Sequence, residues 1–203
     1  KSLLAFPPYV ITNGRALLYP VYKDTYERGG DESTPMGTDP VYSMTGGLLG
    51  PITYRDHVIM DVKDLRRSVD YLATRPDVDT AKFAYIGFSW GGRLGAINLA
   101  VERRLKTAVL YLPGLNFSPR RKEVDDFNYL PHVHQPTLIM SGRYDDVFPL
   151  ETAALPFVQR LGVPTADKRH RIYPTQHFLP REEMIRETLD WLDRYLGKVS
   201  SVR

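Results

Sequence analysis

Two kinds of hydrophobic pattern alternate along the chain. Short runs at Ala16–Val21, Lys82–Phe88, Thr107–Leu112, Thr137–Ser141 and Arg169–Tyr173 read as strands, and Ala108–Leu112 and Leu138–Met140 among them are continuously apolar. Short length and near-continuous apolar character predict strands buried on both faces. Longer amphipathic segments lie between them. From Tyr54 to Thr74, Val58, Val62, Leu65, Val69 and Leu72 recur at the spacing that lines one face of a helix. Gly91–Arg103 and Leu150–Leu161 read as helices, the second closed by Gly162 and Pro164. A last helix is expected over Arg181–Leu196, burying Ile185, Leu189, Leu192 and Leu196. Lys1–Asn13 reads as a poor helix followed by a turn. The stretches Tyr22–Pro51 and 114–135 are polar and read as loops. Strands alternating with helices predict an α/β fold, a mostly parallel central sheet with helices on both faces. In such sheets functional groups gather at the carboxyl ends of strands.

Composition narrows the chemistry. At 203 residues the chain suits one domain, spanning 1–203. It has no cysteine, which excludes disulfides, a thiolate nucleophile and Cys-ligated metal. The net charge is only +3. The basic clusters Arg103-Arg104-Lys106 and Arg120-Arg121-Lys122 carry no interleaved aromatics, so they read as solvated faces and no nucleic-acid partner is expected. No apolar run approaches a membrane span, and none of this decides a compartment.

Gly87-Phe88-Ser89-Trp90-Gly91 matches G-x-S-x-G, with a strand before it and a helix pattern directly after. So tight a strand-to-helix turn strains the Ser backbone and lifts its hydroxyl above the strand ends. Small residues are then expected two before and two after, at Gly87 and Gly91. Gly92, Gly95 and Ala96 extend a small surface that lets the helix lie close on the sheet. A serine hydroxyl needs a base, and the base needs a third group to orient it. In this kind of fold the order is Ser, acid, His. Downstream, the Thr137–Ser141 strand runs into Gly142-Arg143-Tyr144-Asp145-Asp146-Val147-Phe148-Pro149. Two carboxylates, Asp145 and Asp146, are therefore candidates. His177 follows the last strand and precedes the last helix. His57, His132 and His134 come too early in the chain, and His170 falls within a strand. His132-x-His134 lacks an evident third ligand, so neither metal nor other cofactor is expected.

The Gly142-x-x-Asp145 segment with Pro149 four residues on resembles that of dienelactone-hydrolase-like and prolyl-oligopeptidase-like α/β hydrolases. The resemblance runs over about residues 14–197. It implies an α/β-hydrolase fold and selects Asp145 over Asp146 as the acid, with His177 as base. Trp90, by its backbone N–H, is then one oxyanion donor, and Tyr22 or Tyr26 is a candidate for a second. The family's opening strands have no counterpart here, which suggests a piece of a longer protein whose upstream part, or an upstream domain, completes the sheet. Three functions follow. The leading one is a serine esterase acting on a small-molecule ester, since true dienelactone hydrolases commonly carry Cys where this chain has Ser89. The others are a peptidase of prolyl-oligopeptidase type and a hydrolase-fold module that binds without turnover. Phe88, Trp90 and Phe178 suggest an apolar rim, and Leu115–Val133 lies where this fold often inserts a cap.

Overall fold

Parallel neighbours need a crossover between them, and the sequence supplies one in every gap. The computed structural model describes residues 8–22, 28, 51–116 and 120–199. Four strands, β1 (Phe83–Phe88), β2 (Leu105–Tyr111), β3 (Thr137–Gly142) and β4 (Lys168–Tyr173), form one sheet in the order β1-β2-β3-β4. Every pairing is parallel. The two central strands are the most apolar and the most buried. All of β3 and all of β2 except Lys106 are inaccessible. Strand β4 buries no residue fully and carries Lys168, Arg169 and Arg171. Charge on an outer strand discourages further edge pairing.

The helices are α1 (Pro8–Thr12), α2 (Pro51–Ala73), α3 (Trp90–Val101), α4 (Asp126–Tyr129), α5 (Leu155–Arg160) and α6 (Arg181–Leu196). Side chains alternate across the strands, so β1, β2 and β3 each feed two cores. On one face Ala108, Leu110 and Ile139 pack with Leu65 and Val69 of α2, Ala96 and Leu99 of α3, and Phe157 of α5. On the other, Val109, Tyr111, Leu138 and Met140 meet Met184, Trp191 and Leu192 of α6, with Tyr9 of α1 beside them. A fully buried side chain of this size contributes about 1.5–3 kcal/mol, so these layers dominate the stability. Trp191 is the largest fully buried side chain. Its indole N–H donates to Thr107 Oγ1 at 2.9 Å, which satisfies the one polar atom it takes inside.

Three expectations need correction. The Ala16–Val21 run forms no ladder; among the described residues no strand pairs with it. Leu17, Leu18 and Val21 are half-buried there, and Ala16 and Tyr19 are exposed. The segment expected as one helix over Leu150–Leu161 opens as a wide π turn, Leu150–Ala154, before α5. Pro156 explains this, since it has no N–H and its ring displaces the carbonyl four residues back. On α6 the buried face is Met184, Thr188, Trp191 and Leu192. Ile185 and Leu196 are only half-buried against it, and Leu189 is half-buried outside that cluster.

A histidine inside the sheet makes the fold acid-sensitive. His170 Nε2 lies 2.9 Å from Ser141 Oγ across β3 and β4. Burial pushes its pKa down from 6.5 to about 4. Above pH 6.5 both folded and unfolded chains hold it neutral, and it costs nothing. Between pH 6.5 and 4 the unfolded chain takes a proton that the fold refuses, so stability falls with pH. Discounted for partial exposure, the loss is on the order of 2 kcal/mol. Urea midpoints at pH 7 and pH 4.5 should show it, and His170→Gln should remove that component. Equal pH dependence in both proteins would contradict the assignment.

Candidate active site

Strand β1 ends at Phe88 and α3 begins at Trp90, leaving Ser89 alone to make the turn. Its backbone sits at φ 52 and ψ −110, a region a non-glycine residue enters only under strain. Two bonds hold it there. The Ser89 N–H donates to the Tyr111 carbonyl at 2.8 Å, and the Ser89 carbonyl accepts from the Arg93 N–H at 2.9 Å. The turn folds back over Gly87, where any Cβ would overlap the Gly91 carbonyl. A Cβ on Gly92 would lie 2.8 Å from the Tyr111 carbonyl oxygen, and one on Gly95 2.7 Å from Leu110 Cδ2. The expectation for Gly91 was too strict. A Cβ there meets only the Tyr85 hydroxyl, at 3.8 Å, which is ordinary contact. Gly87→Ala should therefore destabilise by about 3 kcal/mol. Gly91→Ala should stay within about 1 kcal/mol of the parent. Urea denaturation of the two variants checks this, and equal losses would refute it.

The loops that carry Asp145 and His177 are built against each other. A Cβ on Gly142, at the end of β3, would overlap the carbonyl of Gln176 in the other loop. Arg143 N–H donates to Tyr173 O at 2.7 Å and Tyr144 N–H to Thr175 O at 2.9 Å. These contacts fix the position of Asp145 relative to His177. Asp145 has a side chain only 2% exposed, and its Oδ1 accepts the N–H groups of Val147 and Phe148, both at 2.9 Å. Asp146 is exposed. Asp145 Oδ2 lies 2.8 Å from His177 Nδ1, and His177 Nε2 lies 2.8 Å from Ser89 Oγ. An ionised carboxylate only accepts, so it draws the imidazole proton to Nδ1 and leaves Nε2 to accept from the Ser89 hydroxyl. The imidazole is flanked by Phe88 and Phe148, with ring centroids at 5.9 and 6.0 Å.

Trp90 opens α3, so helix geometry gives its N–H no intrahelical acceptor. Its ring meets Tyr54 edge-on at 6.0 Å, with the Arg93 guanidinium 5.2 Å from its centroid. Arg93 is clamped by Asp126, Nε to Oδ2 at 3.0 Å and Nη2 to Oδ1 at 3.2 Å. Arg120 adds a bond to Asp126 at 2.6 Å, with its own side chain 5% exposed. That corrects the reading of Arg120 as part of a solvated face. Sequence reasoning also missed Arg93, Asp126 and Phe148. Only the i, i+4 spacing from Ser89 to Arg93 offered a signal. The Tyr22 side chain packs into the cluster of Leu65, Val69 and Tyr85. Burial, then the nearby Tyr85 and Asp61, raises its hydroxyl pKa well above 10. Tyr26 lies outside the described residues. Phe178 is 55% exposed beside His177. His57 is buried in α2, 3.4 Å from Asp61, while His132 and His134 are exposed. Among the described residues no three His, Asp or Glu side chains gather as metal ligands. No described helix is long and apolar enough to cross a membrane.

Known proteins share this frame. An uncharacterized protein of Mycobacterium tuberculosis (strain H37Rv) is 30% identical over 153 residues, 68% of this chain and 52% of that protein. The chain thus spans about half the length of the curated relatives it matches. A PEG-bound cold-adapted esterase from an Arctic intertidal metagenomic library superposes with a TM-score of 0.64 at 23% identity, over 86% of this chain and 67% of that one. An acetyl xylan esterase from Paenibacillus sp. R4 gives 0.57 at 21% identity, over 70% and 54%. These likenesses show the α/β-hydrolase fold. A match to the dienelactone hydrolase family spans residues 24–184. With most of its length covered by that match, the chain belongs to the dienelactone hydrolase family.

Proposed function

We propose that this chain hydrolyses carboxylic esters through Ser89, His177 and Asp145. One observation carries the reading: His177 bridges the other two, with Nε2 at 2.8 Å from Ser89 Oγ and Nδ1 at 2.8 Å from Asp145 Oδ2. Ser89 Oγ attacks the ester carbonyl as its proton passes to His177 Nε2. Asp145 stabilises the imidazolium that forms. The oxyanion of the tetrahedral intermediate faces the Trp90 N–H at the positive end of α3. His177 then gives the proton to the departing alkoxide, and the acyl group stays on Ser89. Water, deprotonated by the same imidazole, releases the acid and restores the serine.

The structural neighbours include a cold-adapted esterase and an acetyl xylan esterase, beside a putative dipeptidyl aminopeptidase IV, so a peptide bond is the competing substrate. The test is hydrolysis of p-nitrophenyl butyrate beside a dipeptide p-nitroanilide at pH 8. Turnover of the ester with little of the anilide is expected. Anilide turnover without ester turnover would replace this reading with a peptidase. Turnover of neither would leave a binding module.

A further inference from the structure

The first turn of α3 is Trp90-Gly91-Gly92, and two glycines in succession give a helix a loose start. Three bonds tighten it. Two are the backbone bonds of Ser89 to Tyr111 and Arg93, which follow from the turn itself. The third comes from a side chain. The Tyr85 hydroxyl donates to the Gly91 carbonyl at 2.6 Å. Tyr85 stands on β1 four residues before Ser89, and it is buried in a cluster otherwise dominated by aliphatic side chains such as Ala96, Leu99 and Leu110. Packing alone would be served as well by Phe, and a buried hydroxyl is costly unless it is bonded.

The phenol is set up to donate in one direction. Asn98 Nδ2 donates to its oxygen at 3.3 Å, which commits the phenol proton to Gly91. Burial, with the charge of Asp61 adding to it, raises the Tyr85 pKa to about 12. The hydroxyl therefore stays a donor at any working pH. Resting on the reading of Ser89 as nucleophile, we infer that Tyr85 is a positioning residue. Its bond to the Gly91 carbonyl holds the first turn of α3 so that the Trp90 N–H and Ser89 Oγ keep the geometry for attack.

Tyr85→Phe removes this bond and the longer one that the hydroxyl accepts from Asn98 Nδ2. Trp191→Phe removes a buried hydrogen bond on the opposite face of the sheet and serves as the stability control. Three quantities are read for each protein: thermal midpoint, kcat and KM on p-nitrophenyl butyrate, and the rate of Ser89 phosphonylation by a fluorophosphonate. Tyr85→Phe is expected to lower kcat and the phosphonylation rate about 10-fold, with KM changed less than about 2-fold. Trp191→Phe is expected to lower the midpoint while keeping both rates. The inference is overturned if Tyr85→Phe retains both rates, or if Trp191→Phe slows them equally. Wild-type protein that resists the fluorophosphonate would sink the nucleophile reading itself, an outcome distinct from either.

Discussion

Ser89→Ala is expected to lower kcat on p-nitrophenyl butyrate by about 10⁴- to 10⁶-fold, with KM changed less than about 3-fold. The size follows from what the substitution removes. His177 keeps its bond to Asp145, and the Trp90 N–H keeps its place at the head of α3. Attack must then come from water held by neither, through an intermediate that forms no acyl-enzyme. What survives is the stabilisation from the oxyanion donor and from binding. The fold should be nearly indifferent, since Ala bears the same strained φ of 52 that Ser does. Ser89→Gly should be equally inactive but more stable by about 1 kcal/mol, because glycine enters that region without strain. Steady-state kinetics with a urea melt separates the two effects. A Ser89→Ala protein within 10-fold of the parent would mean that another group attacks the ester.

The second large effect distinguishes two adjacent carboxylates. Asp145→Asn should lower kcat by about 10⁴-fold, and Asp146→Asn by less than about 2-fold. Asn at 145 can still accept the N–H groups of Val147 and Phe148 through its amide oxygen, so the loop should hold its shape. Its amide N–H₂, turned to His177 Nδ1, donates where the carboxylate accepted. The imidazole proton is driven to Nε2, the atom that must receive the Ser89 proton. Asp146 is exposed and takes no part in this bonding. Comparable losses in the two variants, measured on the same ester, would show that the acid acts through general loop structure.

Much of this was legible in the sequence, because the decisive information was local. The elbow is written within five residues. Gly87 is fixed by a clash with the backbone four residues on. Asp145 and His177 follow strands of strongly apolar or extended character, and strand ends in a parallel sheet converge. The legible parts are those marked by a local pattern at a strand end, even where the partners, such as Ser89 and His177, lie 88 residues apart. The Arg93–Asp126 clamp spans 33 residues and depends on the loop after β2 folding back onto α3. No local pattern announces it, and Arg120 read as solvated for the same reason. The π turn before α5 was present in the sequence as Pro156, but periodicity does not register a missing N–H. The Ala16–Val21 run had the composition of a strand; whether it becomes one depends on a neighbouring ladder, which its own residues do not encode.

The most direct test of the central claim is the site of covalent capture. Wild-type protein treated with a fluorophosphonate should gain one adduct by intact mass, and peptide mapping should place it on Ser89. Ser89→Ala should gain none, and Asp145→Asn should react far more slowly than the parent. An adduct on any other residue, or wild-type protein that stays unmodified while remaining folded, would contradict the account.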